Sequence, residues 1–325
     1  MKKIILSALF LASAVTFGQE LKVSGSVDVY GTANFAEGSG TPGLLIANPQ
    51  NANAFGLGMA NTIFSYEGEK SGVVADLAFG PRADDANMAG AINQLYAYYN
   101  VNDKITVTAG QFNTFLGYEV ISPASNFNYT VSYLFNAGPF SHTGIKMDYA
   151  VNEDFSFLLA VTNGHGILST DGNVTGDMQF GGQVGYKGQY LNLIYGAVSA
   201  GGATDAMFID YTGGFNLSES FYLGINAAYA NSADADAGYS GVALYLENSF
   251  SDTFALGLRP EFFTQSAGDV DASVMALSLT ASTVLAENLK LITEFRYDSS
   301  DDLIIEAFPT EESVSALTIA AVYSF

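Results

Sequence analysis

The segment LKLITEFRYDS, residues 289–299, sets Lys290, Glu294 and Arg296 on one side of an alternating pattern and Leu289, Leu291, Phe295 and Tyr297 on the other. In FALGLRPEFF, residues 254–263, Arg259 and Glu261 oppose Phe254, Leu256, Leu258 and Phe262. In SHTGIKMDYA, residues 141–150, His142, Lys146 and Asp148 oppose Ile145, Met147 and Tyr149. A period of two belongs to extended chain, whose successive side chains point to opposite faces. The chemistry open to such a face is electrostatic: it lines a solvated passage, or it pairs into ladders that brace a wall.

Covalent chemistry has little support. The chain has two histidines, His142 and His165. Ser141 and His142 are adjacent and so point to opposite faces of a strand, and His165 stands among glycines in NGHG, whereas a nucleophile and its base must meet within hydrogen-bond reach. DGNVTGD, residues 171–177, begins like a calcium loop, but Gly182 holds the twelfth position, where a bidentate Glu is required. GGQVGYKG, residues 181–188, lacks the lysine–serine ending of a phosphate loop. We therefore expect no catalytic residues, no metal site and no cofactor.

The elements that would position the charged faces can be read from composition. Hydrophobic residues make up 49% of the 325 and mean hydropathy is +0.21, yet polar residues or glycine interrupt every apolar run beyond the first. That first run, Ile4 to Val15, follows Lys2 and Lys3 and precedes small residues, as in an export leader. We expect a signal peptide over 1–18 and a single domain over 19–325. The chain has no cysteine, hence no lipobox and no disulfide. A formal net charge of −22 argues against nucleic acid as a partner. An exported, apolar chain without a spanning helix points to a closed β-barrel, the other way to satisfy backbone groups in lipid.

Sixteen alternating stretches, the first at 21–36 and the last at 314–325, support an all-β, antiparallel up-and-down transmembrane barrel. Every second connection is tiny and polar, such as Asn102–Asp103 and Asn152–Glu153, and the others are mostly longer. That is the layout of short periplasmic turns and longer extracellular loops. The final stretch, ALTIAAVYSF, places Tyr323 and Phe325 on its apolar row, where they would form an interfacial girdle and an assembly signal. Pro260 inside a strand suggests a bulge, since it donates nothing to the ladder. The longest connection, 114–139, is too apolar and aromatic for a solvated loop. It either folds into the lumen, with Tyr118, Glu119, Asn126, Asn128 and Tyr129 rimming a constriction, or it packs as an outer lid. Lys146, Asp148, Arg259, Glu261, Lys290, Glu294 and Arg296 would then line a water-filled pore.

The run GQFNTFLGYEVISPASNFNYTVSYLFNAGPFSHTGIKMDYAVNEDFSFLLAVTNG, with the later pieces LRPEFF and EFRYDSS, resembles the β-barrel porins of the OmpL-like kind, common in Bacteroidetes-type bacteria. The resemblance implies an outer-membrane barrel of porin type and fixes no solute. Its terminal strand is similar to the signal read by the barrel assembly machinery. The leading expectation is a passive diffusion channel for small hydrophilic solutes, mildly cation-preferring because Asp84, Asp85, Asp171, Asp234, Asp236, Asp269, Asp271, Asp301, Asp302, Glu311 and Glu312 at the mouth face only Arg82. A surface-binding or adhesion barrel, and a channel for hydrophobic compounds, stay open as alternatives. The expected partners are outer-membrane lipid, lipopolysaccharide bridged by divalent ions at Asp234, Asp236, Asp269 and Asp271, the assembly machinery and small solutes. A homo-oligomer is left open.

Overall fold

The computed structural model describes residues 21–35, 54–86, 90–165, 174–197, 205–300 and 313–325; the leader expected over 1–18 lies outside them. The alternating stretches form β1 (Leu21–Asn34), β2 (Ala54–Glu67), β3 (Ser71–Phe79), β4 (Ile92–Asn102), β5 (Ile105–Asn113) and β6 (Ser141–Ala150). They continue as β7 (Phe155–Gly164), β8 (Val174–Tyr186), β9 (Gln189–Ala197), β10 (Asp205–Asn216) and β11 (Phe221–Ser232). The circuit ends with β12 (Ala237–Ser251), β13 (Phe254–Ala267), β14 (Val270–Ala286), β15 (Leu289–Ser299) and β16 (Ser313–Ser324). Among the described residues two short helices, α1 (Pro81–Ala86) and α2 (Tyr133–Ala137), lie in the connections after β3 and β5.

Consecutive strands pair antiparallel and β16 pairs with β1, giving the closed sixteen-stranded barrel that the period had implied. Closure leaves no strand edge unpaired, which is what lipid demands of a spanning sheet. Outward rows are large and apolar: Leu258, Phe262, Phe295, Tyr297 and Ile319 all stand exposed on the outer wall. Near the short turns Tyr66, Tyr99, Tyr186, Tyr190, Phe250 and Tyr323 are exposed as well, as in an interfacial aromatic girdle. The turns are closed by the residues that marked them. Asn102 Oδ1 accepts from the N–H groups of Lys104 (2.9 Å) and Ile105 (3.0 Å), and Asn152 Oδ1 from those of Asp154 (3.0 Å) and Phe155 (2.9 Å).

The bulge expected at Pro260 is absent. Pro260 pairs in register with Leu277 of β14, and toward β12 the ladder is interrupted opposite Leu244 and Tyr245 and resumes without a shift. The missing donor removes rungs but adds no residue, so the register is kept. A shift is found instead between Val27 and Val29 of β1. There the Asp28 carboxylate turns toward Gly58, where a Cβ would lie 1.7 Å from its oxygen.

The seam explains the terminal aromatic. Gly25 and Phe325 exchange both backbone hydrogen bonds at 3.0 Å, so the last residue is itself a rung of the closing ladder. The Phe325 ring lies over Gly25, whose Cβ, if present, would meet the ring at 2.8 Å and the Asn61 carbonyl oxygen at 2.1 Å. Deleting Phe325 removes two rungs worth about 1 kcal/mol each, and Gly25→Val forces the seam apart. Heat-modifiable migration on gels measures closure. Both variants should lose it at a lower temperature than the parent, and unchanged transitions would show that the seam does not depend on its last pair.

Candidate functional site

Six loop residues, Tyr129 to Leu134, are bound by four charged side chains that the period placed on the inner wall. Glu294 on β15 accepts from the backbone N–H groups of Tyr129 (3.0 Å) and Thr130 (3.1 Å), from the Thr130 hydroxyl, and from Thr280 Oγ1 at 2.9 Å. Glu261 on β13 accepts from the N–H groups of Tyr133 (3.1 Å) and Leu134 (2.8 Å), in the first turn of α2. Arg259 donates to the Thr130 and Val131 carbonyls at 2.6 and 3.2 Å, and Arg296 to the Val131 carbonyl at 2.6 Å. Arg259 also closes an ion pair with Glu119 at 2.5 Å, while Ser132 donates N–H and O–H to the other Glu119 oxygen at 2.8 and 2.5 Å. Arg296 is paired with Asp298 at 2.8 Å, and Asp298 accepts the Tyr133 hydroxyl at 2.8 Å.

These charges are dry. Glu119, Arg259, Glu261, Glu294, Arg296 and Asp298 are all buried. That corrects the expectation of a solvated charged lumen at Arg259, Glu261, Glu294 and Arg296, because the loop backbone takes the place of water there. Burial of unpaired charge costs several kcal/mol, and the hydrogen bonds to the loop offset it, although Arg296 Nη2 finds no partner among the described residues. The other loop positions follow the same pattern. Asn126 folds back on Val120, accepting at 3.0 Å and donating at 2.6 Å, and Asn128 donates to Thr280 Oγ1 at 2.6 Å. Tyr129 is fully buried, its hydroxyl donating to Asp28 at 2.6 Å, and desolvation holds that phenol above its ordinary pKa. Tyr118 stacks on Tyr245 with centroids 4.1 Å apart and donates to the Tyr222 hydroxyl at 3.1 Å.

The segment therefore traverses the lumen as an inserted loop, not an outer lid. It starts at Thr114, whose hydroxyl is 2.9 Å from His142 Nε2, and passes Asp210 on β10, which accepts from Gly117 N–H at 3.0 Å. It reaches β1, where Ser122 Oγ lies 3.2 Å from Ser26 Oγ. Two inward glycines serve as sockets. A Cβ on Gly181 would meet the Phe115 ring at 2.5 Å, and one on Gly257 the Phe127 ring at 2.3 Å. Arg82, expected to face the acidic mouth, is buried instead. Its guanidinium donates to the Tyr129 carbonyl at 2.9 Å and lies 4.7 Å from that ring's centroid, because α1 turns it inward onto the loop.

Between the loop and β10–β12 there is a cavity of about 20 Å³, bordered by Leu116, Gly117, Leu134, Asp210, Asn226 and Tyr239, with room for about one water. Toward the short turns the lumen opens into a vestibule with cavities of about 380, 330 and 450 Å³. Lys146 and Asp148 face it as an ion pair at 2.7 Å, and Lys290 donates to the Asn126 carbonyl at 3.3 Å.

A family model matches residues 20–325, the beta-barrel porin-2, OmpL-like family. The chain belongs to this porin family. Solved structures share its fold. They include the outer membrane channel DcaP of Acinetobacter baumannii (13% identity, 95% of this chain and 98% of that one, TM-score 0.64). A loop-deletion mutant of OmpT, an outer membrane protein of Vibrio cholerae, matches at 10% identity over 95% of this chain and all of its own, TM-score 0.60. A mutant Rh. blastica porin matches at 15% identity over 94% and 100%, TM-score 0.57. None of the curated proteins matches. The protein is thus an outer-membrane barrel of porin type, its apolar wall in contact with lipid.

Sequence reasoning overlooked Asp28, Asp210 and the socket glycines. The row Ser26, Asp28, Tyr30, Thr32, Asn34 carried the signal for Asp28, since all five are inward and buried. In this porin Glu119→Gln would leave Arg259 buried without its carboxylate, weakening loop docking by about 3 kcal/mol. Limited proteolysis of the folded barrel should then cut the variant within 120–128 while the parent resists. Equal resistance would mean that the Glu119–Arg259 pair does not hold the loop.

Proposed function

We propose that this porin is a passive diffusion channel for small hydrophilic solutes whose conductance is set by the inserted 114–139 loop, and that it carries out no catalysis. The observation that supports this best is the clamp on Tyr129–Leu134. A barrel of sixteen strands is wide enough for an aqueous channel, and a loop fastened across it by four wall charges leaves narrow routes at its margins. Loop displacement, not wall charge, would then limit flow. His142, whose Nε2 lies 2.9 Å from Thr114 Oγ1, is fully buried against Phe115 and His165, which suits a packing role better than hydrolysis.

Mild cation preference belongs to the same proposal. Asp84, Asp85, Asp234, Asp236, Asp269 and Asp271 are exposed at the long-loop end, and with Arg82 buried their charge has less opposition than the sequence suggested. The remaining mouth acids, Asp171, Asp301, Asp302, Glu311 and Glu312, lie outside the described residues. An acidic mouth enriches cations within about 10 Å at 0.1 M salt. Divalent ions bridging lipopolysaccharide would meet the same carboxylates.

In planar bilayers we expect single-channel steps that are small for a sixteen-stranded barrel, and larger steps from a Glu294→Gln variant, whose loop loses its anchor at Tyr129 and Thr130. Reversal potentials in a salt gradient should favour cations at low salt and lose the preference at high salt. Steps unchanged by Glu294→Gln, or anion preference at low salt, would refute the corresponding half of the proposal.

A further inference from the structure

The vestibule cavity of about 380 Å³ holds two opposite charges that do not pair. Its floor is the loop segment 124–128, and Tyr118, Tyr245, Glu247 and Lys290 form its walls, with Glu119 at the edge already engaged by Arg259 and Ser132. Glu247 stands inward on β12 and Lys290 inward on β15, both partly buried. None of the ion pairs among the described residues includes Glu247, and its carboxylate makes no hydrogen bond there. Lys290 Nζ donates to the carbonyls of Asn126 at 3.3 Å and Ala124 at 3.5 Å. An ammonium has three donors, so one is left for a solute. The carboxylate keeps all its acceptor sites. Beside them, the stacked Tyr118–Tyr245 pair and Phe127, socketed over Gly257, offer an apolar flank.

We propose that this cavity binds a small zwitterion of the α-amino acid class. The solute's ammonium would meet Glu247, its carboxylate would meet Lys290, and its side chain would lie along Tyr118 and Phe127. A simple anion would leave Glu247 partly desolvated and repelled, a simple cation would face Lys290, and a neutral solute would answer neither charge. The volume falls within the roughly 300–1,000 Å³ of ordinary small-ligand sites. Because the carbonyls that orient Lys290 belong to the inserted loop, the site is complete only while the loop is docked.

The solute class rests on the channel reading, but binding can be measured apart from conduction. The test is saturation-transfer NMR on the full barrel in detergent, with L-alanine, propionate, ethylamine and glucose as probes. Alanine should bind saturably and at least tenfold more tightly than propionate or ethylamine, with no transfer to glucose. Glu247→Gln should weaken alanine at least tenfold while leaving heat-modifiable migration unchanged, because the carboxylate supports no contact of the fold. Glu247→Asp, which keeps the charge, should retain most of the affinity. Propionate binding as tightly as alanine, or alanine affinity unchanged in Glu247→Gln, would overturn the zwitterion site. Conducting steps in bilayers without alanine binding would sink the site alone, whereas alanine binding without any steps would sink the channel reading and leave the site standing.

Discussion

An irregular backbone inside a barrel must find a partner for every N–H and C=O, because there is no regular ladder to supply one. The loop segment Tyr129–Leu134 meets most of that demand from the wall: Glu261 and Glu294 accept four of its amides, and Arg259 and Arg296 donate to the Thr130 and Val131 carbonyls. The wall charges face the same constraint from the other side. Four ionisable groups on β13 and β15, shut off from water, would not persist without polar partners. Loop and wall each supply the solvation that the other has lost.

The remaining architecture follows from that exchange. Arg259 and Glu261, two residues apart on β13, share a face with Ser278 and Thr280 of β14 and with Glu294, Arg296 and Asp298 of β15, so regular antiparallel register assembles the clamp. The apolar side chains of the segment fill what the polar ones leave. Leu134 and Tyr133 join Phe208, Tyr239, Phe263 and Val274 in one buried cluster. Ile121, Val131 and Phe135 join Met59, Ala83 and Phe140 in another. Burial at about 25 cal/mol per Å² adds to docking, but register is specified by the charges.

Most of the barrel was legible because lipid and lumen impose opposite chemistry on alternate residues, and the turn asparagines gave the strand ends. The site was legible only in part. A period of two shows that Arg259 and Glu294 share an inner face; it says nothing of what covers that face, and burial turned expected pore-lining charges into loop anchors. Glycines 181 and 257 carry no signal of a socket in the sequence, since the rings that fill their space come from Phe115 and Phe127, far away in sequence. Arg82 read as a surface charge because its inward turn depends on α1 and on the loop it meets. Structural relatives at 10–15% identity share the barrel, and lumen chemistry is free to differ.

Hydrogen–deuterium exchange of the folded barrel tests the docked loop most directly. Amides whose acceptors are buried wall carboxylates open only with the loop itself. The N–H groups of Tyr129, Thr130, Tyr133 and Leu134 should exchange about as slowly as those of the central β14 rungs. Exchange at the rate of the exposed Asp252–Thr253 turn would contradict a loop held in the lumen by Arg259, Glu261, Glu294 and Arg296.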